Sequence, residues 1–416
     1  MLDPVTGFSA YVALSVLGAV VVVLAARLAR GRLYGRFAAV LLTIHTTSSV
    51  LLLSALGPSF TLPFAILQLI VFANFFALIW ARMRSPSFRF LVSWPAAYFL
   101  ATTFFGLPFG ALSALGLELP LLWVPFVIGA FGLFESLRPP REEDVDVFLT
   151  DGAPSTAPEP VNSQKGHSGT ARPLRLVQIS DPHLGPFMSV ARLRKICERA
   201  VERDPDLVVL TGDFLTMESQ RDSRHLVAAL EPLRRLPGRV FACRGNHDLE
   251  TPELVSEALS RVGVRLLIDD EATIETPAGR VQILGVDFVW RRRAEHLHSL
   301  SQRYPRRPHH LRVVLLHDPS AFVHIPNGDG DLVLSGHTHG GQLGLLTLGL
   351  TWTVLRPISY PDHGLWKRGS DHLYVHRGTG HYGFPLRIGV PAERSMLRVH
   401  DLRPTRSKDG GSTMRA

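Results

Sequence analysis

Five long apolar stretches fill the first third of the chain, at residues 8–29, 37–56, 62–81, 90–113 and 117–136. Each is near the ~20 residues that a helix needs to cross a bilayer. No Lys and only three acids (Asp3, Glu118, Glu135) occur before residue 138. The intervening loops alternate in charge. Arg30, Arg32 and Arg36 follow the first stretch, Arg82, Arg84 and Arg89 the third, and Arg138 and Arg141 the fifth, whereas Gly57–Thr61 and Ala114–Gly116 carry no base. The positive-inside bias then puts the amino terminus outside and everything after the fifth span in the cytoplasm, in a multi-pass membrane protein (of the inner membrane if the cell is bacterial). The fourth stretch is interrupted by Pro95 and Pro108. His45, Gln68 and Asn74 lie at depth, where hydrogen bonding between helices is the expected use of a polar side chain.

From residue 173 the pattern changes to short apolar runs alternating with helical periodicity. Runs Leu174–Ile179, Leu207–Leu210 and Arg239–Cys243 read as buried strands, and Val190–Arg203, Arg224–Arg235 and Pro252–Val262 as helices, with Ser189 as an N-cap. Ala272–Glu275, Val281–Val286, Val313–Leu316, Leu332–Leu334 and Leu373–His376 make the second half strand-rich. The expected architecture is an α-helical transmembrane region followed by an α/β (α+β) domain, a two-sheet sandwich flanked by helices. The boundaries are a membrane domain at 1–140, a linker at 141–172, the folded domain at 173–402 and a disordered polar tail at 403–416. The linker rests on residues 151–172, rich in Pro, Ser, Gly and Thr and poor in apolar side chains.

Composition adds modest constraints. Lys and Arg total 44 against 36 Asp and Glu, a net charge of +8 carried mostly by Arg. That excess suits anionic lipid surfaces or phosphorylated substrates, and a solvated Arg-rich surface accounts for it equally well. The two cysteines, Cys197 and Cys243, cannot form a disulfide framework and read as small buried residues, a usage that fits a reducing compartment. No basic–aromatic stripe or recognition helix points to nucleic acid.

Five polar fragments each follow an apolar run: Asp181-Pro182-His183, Gly212-Asp213, Gly245-Asn246-His247-Asp248, His317, and Gly336-His337-Thr338-His339. Side chains delivered from strand ends converge at the carboxyl edge of an α/β sheet. Two of their Asp, the Asn and four of their His offer oxygen and imidazole nitrogen without thiolate, a set suited to two divalent metal ions (Mn, Fe or Zn) rather than a structural zinc.

The fragments, in this order, resemble the calcineurin-like metallophosphoesterase superfamily, with its pattern D-x-H, GD, GNH[DE], H, GHxH, over roughly residues 174–400. Gly336–Gln342, Arg377-Gly378-Thr379-Gly380 and Arg387-Ile388-Gly389 are similar to a membrane-anchored or exported branch with N-terminal transmembrane helices. That branch closes on Pro-Pro-Glu, where this chain has Pro391-Ala392-Glu393. The resemblance implies that Asp181, His183 and His339 hold one metal, that Asn246, His317 and His337 hold the other, and that Asp213 bridges both. It implies attack by a metal-bridging hydroxide on a phosphodiester or pyrophosphate, with His247 at the leaving oxygen and Asp248 orienting its ring. His337 and His339 share a face if their segment is extended, and splay to separate metals if it turns. Arg377 and Arg387 are candidates for a bidentate phosphate clamp, or else structural arginines. The expected substrate is a phosphorylated lipid-linked or nucleotide-linked small molecule, with membrane lipids as neighbours. A non-catalytic membrane sensor or scaffold with the same fold is the alternative.

Overall fold

The computed structural model describes residues 4–117, 120–150, 155, 157–161 and 172–401. The expected tail at 403–416 and most of the expected linker lie outside them. Among the described residues four helices are long and apolar enough to cross a membrane. They are α1 (Pro4–Arg30), α2 (Arg32–Leu56), α3 (Thr61–Leu78) and α4 (Pro86–Ala114). Pro95 has no N–H to give, and α4 widens into a π turn at Arg89–Ser93 just before it. The fifth expected span, 117–136, is shorter than its apolar run: α5 covers Val124–Leu137, 14 residues. That is about 21 Å of helix, less than the ~30 Å hydrocarbon core.

Four polar residues inside the bundle, Tyr11, His45, Gln68 and Thr103, pair with one another. His45 of α2 contacts Thr103 of α4 through Nδ1 at 2.8 Å and Gln68 of α3 through Nε2 at 3.0 Å, and Tyr11 of α1 donates to the same Gln68 oxygen at 3.2 Å.

After α5 the chain enters β1 (Arg141–Leu149), β2 (Glu159–Pro160), β3 (Leu174–Ile179), α6 (Val190–Glu202), β4 (Leu207–Thr211), α7 (Ser223–Leu230), β5 (Val240–Cys243), α8 (Pro252–Arg261), β6 (Arg265–Leu266), β7 (Asp270–Thr276), β8 (Gly279–Gly285), α9 (Arg293–Arg303), β9 (His310–Leu315), β10 (Leu332–Ser335), β11 (Gly364–Arg368), β12 (Asp371–Val375) and β13 (Glu393–Asp401). Two sheets form, in the orders β1-β13-β3-β4-β5-β6 and β2-β11-β12-β10-β9-β8-β7. Residues 141–149, expected as linker, are instead an edge strand parallel to β13, in register from Arg141 opposite Glu393 to Leu149 opposite Asp401. Its exposed carboxylates Glu142, Asp144 and Asp146 meet Arg199, Arg203 and Arg398, while Val147 and Leu149 are buried.

Side-chain alternation builds the layers. Leu207 and Val209 of β4 point between the sheets, against Val313, Leu315, Leu332 and Leu334 of the second sheet. Val208 and Leu210 point outward and are covered by Leu193 of α6, Leu226 of α7 and Val255 of α8. Both faces are therefore dry, so these strands read as unbroken apolar runs. Each such Leu or Val contributes roughly 1.5–3 kcal/mol by burial. Strands β3, β4 and β5 run parallel, as do β8, β9, β10 and β12, so their carboxyl ends open on one edge of the sandwich.

Candidate metal centre and its flanking acid

Every one of the five fragments sits just past a strand end on that edge. Asp181 and His183 follow β3, Asp213 follows β4, Asn246 and His247 follow β5, His317 follows β9, and His337 and His339 follow β10. Two groups of potential metal ligands result: Asp181, His183 and His339, and Asp213, His317 and His337, with ligand atoms in each lying within 4.8 Å of one another. Oδ2 of Asp213 connects the groups, 3.6 Å from His183 Nε2 and 3.3 Å from His317 Nε2. His337 and His339 fall in separate groups because the backbone turns at both, with φ of 68° and 52°.

Strain concentrates here. Asp181 (φ 50°), His183 (φ 45°) and Asp213 (φ 57°) are left-handed as well. Such a conformation costs an L-residue roughly 1–2 kcal/mol, so five potential ligands adopting it mark a backbone bent to aim side chains inward. Two glycines permit the approach. A Cβ on Gly245 would overlap Asp213 Oδ1, and one on Gly336 would overlap Ser180 and Asp181.

The residues fit dications. Asn246 Oδ1 and His317 Nε2 are buried with no hydrogen-bond partner. His183 and His339 present Nε2 to Nε2 at 3.2 Å, which leaves at least one lone pair aimed at the other ring. Burial holds His183, His337 and His339 below the usual imidazole range, so they are neutral donors. Burial opposes ionisation of Asp213, yet the adjacent His317, 3.3 Å away, holds that carboxyl well below its ordinary range. His317 donates through Nδ1 to the Thr211 carbonyl at 2.6 Å, which fixes the ring and leaves Nε2 toward Asp213.

His247 stands beside this centre, its ring 5.5 Å from that of His183. Its backbone N–H donates to Asp213 Oδ1 at 2.9 Å. The expectation that Asp248 orients the ring is corrected by the geometry. Asp248 accepts the backbone N–H groups of Asp213, Phe214 and Gly245, at 2.8, 2.9 and 2.8 Å, and so shapes the loops that carry the ligands. The ring is held instead by Glu250, whose Oε1 lies 2.9 Å from Nδ1. Burial works against protonation of His247, and Glu250 and Asp213 overcome it, raising the pKa above the ordinary value. Glu250 was not singled out from the sequence, although its position three residues after His247 on a 3₁₀ turn places the two side chains one above the other.

Arg377 and Arg387 do not form the expected clamp. Arg377 is buried between Glu393 and Glu143. Arg387 is 1% exposed, and its guanidinium serves carbonyls of Arg377, Gly378, Gly380, His339 and Val390. Both terminal nitrogens are occupied, Nη2 also lying 3.2 Å from His339 Nδ1, and Nε is buried, so Arg387 fixes the loop under His339 and presents no open fork to a phosphate. Its own segment is docked on α5: Arg387 N–H donates to Ser136 Oγ at 2.8 Å and Gly389 N–H to Glu135 Oε2 at 2.5 Å. Tyr382, also absent from the sequence reading, stacks on His183 with centroids 5.2 Å apart and meets His247 edge-on at 5.0 Å. Nothing in the local sequence marks Tyr382; its place is set by tertiary packing.

Residues 174–341 match the family model of the calcineurin-like phosphoesterases. The chain is 29% identical over 234 residues to phosphodiesterase YaeI of Escherichia coli (strain K12), covering 55% of this chain and 83% of that protein. It is 30% identical over 292 residues to a Danio rerio protein named transmembrane protein with metallophosphoesterase domain, covering 65% of this chain and 60% of that protein. With UDP-2,3-diacylglucosamine pyrophosphatase LpxG of Chlamydia trachomatis it shares 26% identity over 285 residues, covering 54% of this chain and 83% of that protein.

Proposed function

We propose that this chain, whose residues 174–341 match the calcineurin-like phosphoesterase family model, is a membrane-anchored binuclear phosphoesterase cleaving a phosphodiester or pyrophosphate bond of a lipid-linked or nucleotide-linked substrate. Metal-dependent phosphoric ester hydrolysis is the activity class of the domain. The observation that carries the proposal is the pair of ligand groups joined through Asp213 Oδ2, with His247 alongside. We assign Asp181, His183 and His339 to one divalent ion, Asn246, His317 and His337 to the other, and Asp213 to both. Two such ions, when bound, lower the pKa of water and neutralise charge on the phosphoryl oxygens.

The chain's own residues do the rest. Asp213, whose Oδ2 lies between the two ligand groups, would offer its carboxylate to both ions and offset their mutual repulsion. His247, with Nδ1 committed to Glu250, has Nε2 to serve the substrate, and gives its proton to the leaving oxygen. Net, one water is consumed, one P–O bond forms as the P–O bond to the leaving group breaks, and the alcohol or phosphate leaves protonated. The complete ligand set speaks against a sensor or scaffold that retains only the fold.

Position supports a lipid-linked substrate over a soluble one. The basic loops lie on the side of the bundle that meets the catalytic domain: Arg84 and Arg89 interact with Glu218, and Arg192 donates to the Phe187 and Ser136 carbonyls at 3.0 and 3.2 Å. The basic side is the cytoplasmic one by the positive-inside bias, so the domain belongs there. A relative named UDP-2,3-diacylglucosamine pyrophosphatase is consistent with this substrate class. The test profiles the purified full chain, with Mn, Fe or Zn, against a phosphodiester, a phosphomonoester and lipid extracts. Metal-dependent release of a phosphomonoester from a diester or pyrophosphate is expected, and the absence of turnover on all of them with every metal overturns the proposal.

A further inference from the structure

An apolar cavity of about 430 Å³ lies between the helical bundle and the catalytic loops. That volume is within the range of small-molecule sites. Along α2 it is lined by Tyr34, Phe37, Leu41, Ile44 and His45. Their spacing keeps one helical face from Tyr34 to His45, a wall about 16 Å long. Ala97, Leu100 and Phe104 of α4 face it, and Phe187 and Phe384 close it on the catalytic side. Among the described residues no Lys or Arg lines it; His45, Asn74, Thr216, Glu218 and His381 are polar exceptions in a mostly apolar wall, so it offers no fixed cation to a phosphate.

Two observations connect this cavity to the chemistry and to the bilayer. Tyr382 lines its catalytic end, and the same ring stacks on His183 and meets His247. One side chain therefore separates the cavity from a metal ligand and from the acid. At the sides, Phe37, Ile44 and Phe104 are 50%, 43% and 44% exposed. On helices that cross a membrane, such exposure is to lipid, so the cavity opens laterally to the hydrocarbon.

We propose that this cavity holds an alkyl chain of the substrate's leaving group. The ester then enters sideways from the bilayer, its phosphorus at the metal centre and its tail along α2. The tail belongs to the leaving side because Tyr382 abuts His247, the residue assigned to the leaving oxygen. Water replaces the lipid alcohol on phosphorus, the proton from His247 leaves with that alcohol, and the phosphomonoester stays with the polar half. This rests on the hydrolase reading above and adds the chemical class and orientation of the substrate.

The experiment uses purified full-length protein with a homologous series of methyl n-alkyl phosphates, from ethyl to decyl, kept below their micelle concentrations. Released alkanol and methyl phosphate are read by mass spectrometry. The expected kcat/KM rises about four-fold per methylene until the cavity is filled, with alkanol and not methanol released. Ala97→Phe, which fills the cavity beside α2, should flatten that dependence. Turnover that is flat across the series, or release of methanol, overturns the tail site and leaves the hydrolase intact. No turnover of any diester with any metal overturns the hydrolase reading, and binding then decides the tail site. A methyl alkyl phosphate with a diazirine at the chain end should crosslink to the α2 and α4 faces around Leu41 and Leu100. Crosslinks confined to the outer surface, at Val40 or Leu33, overturn it. The crosslinking arm uses the unmodified chain, so it also stands if Ala97→Phe fails to fold.

Discussion

His183 and His339 face one another across the centre, Nε2 to Nε2 at 3.2 Å, with ring planes 24° apart. Two buried neutral imidazoles in that arrangement aim ring nitrogens at the same point as Asp181, where a cation would be held. On the proposed assignment, His339→Ala and Asp213→Asn are expected to lose nearly all hydrolysis, the first by removing a ligand of one metal and the second by removing the anion shared by both. Metal analysis of the purified variants checks this: less than the wild-type metal content is expected. Wild-type turnover at full metal content would remove both residues from the site.

His247→Ala should behave differently, keeping its metal while losing roughly 10²–10⁴-fold in rate. Glu250→Gln should lose less, because a neutral amide still orients Nδ1 while the stabilised positive charge on the ring is lost. Asp248→Asn should resemble a ligand variant, since its two oxygens together accept three N–H groups of the metal-bearing loops. If His247→Ala loses a whole equivalent of metal, His247 is a ligand and not the acid.

Much of the catalytic half can be read directly in the chain. Buried parallel strands are unbroken apolar runs, and Asp181, Asp213, Asn246, His317 and His337 each follow one. What could not be read has a physical pattern. β1 carries Glu142, Asp144 and Asp146 and looks like a polar linker, because an edge strand places alternate residues in solvent. α5 has an apolar run longer than the helix it forms. Arg377 and Arg387 look like phosphate ligands by residue type, and only tertiary packing reveals Glu393, Glu143 and the carbonyls that occupy them. The exchange of Asp248 for Glu250 beside His247 depends on one tight turn.

Glu218, 2% exposed on the catalytic face that meets the helices, sets a pH dependence of stability. Burial raises its pKa to about 7, with Arg89 and Arg84 opposing. A carboxyl with a raised folded pKa favours the protonated fold. Its cost is absent below the ordinary value of about 4.5, grows as pH rises toward 7 and is then constant, at on the order of 3 kcal/mol. Thermal melting in detergent should show wild type losing stability from pH 5 to 8 and Glu218→Gln losing less. Parallel pH profiles for the two would contradict this.

The orientation of the chain is open to an independent check. Arg30, Arg32, Arg36, Arg82, Arg84 and Arg89 should be cytoplasmic together with the domain from Arg172 onward. A reporter active only in the cytoplasm, fused after Arg403, should be active, and protease added to intact cells should spare the domain. Degradation in sealed cells would put the catalytic side outside and reverse the assignment.

The central claim is a two-metal phosphoesterase built on Asp213, and metal titration of the stripped full-length protein addresses it most directly. Apoprotein is loaded with Mn, Fe or Zn in measured equivalents while hydrolysis of bis(4-nitrophenyl) phosphate is followed. Activity should be absent without metal and should saturate at two equivalents per chain, whereas Asp213→Asn should stay inactive throughout. Full activity in the presence of chelator, or saturation at a single equivalent, would contradict it.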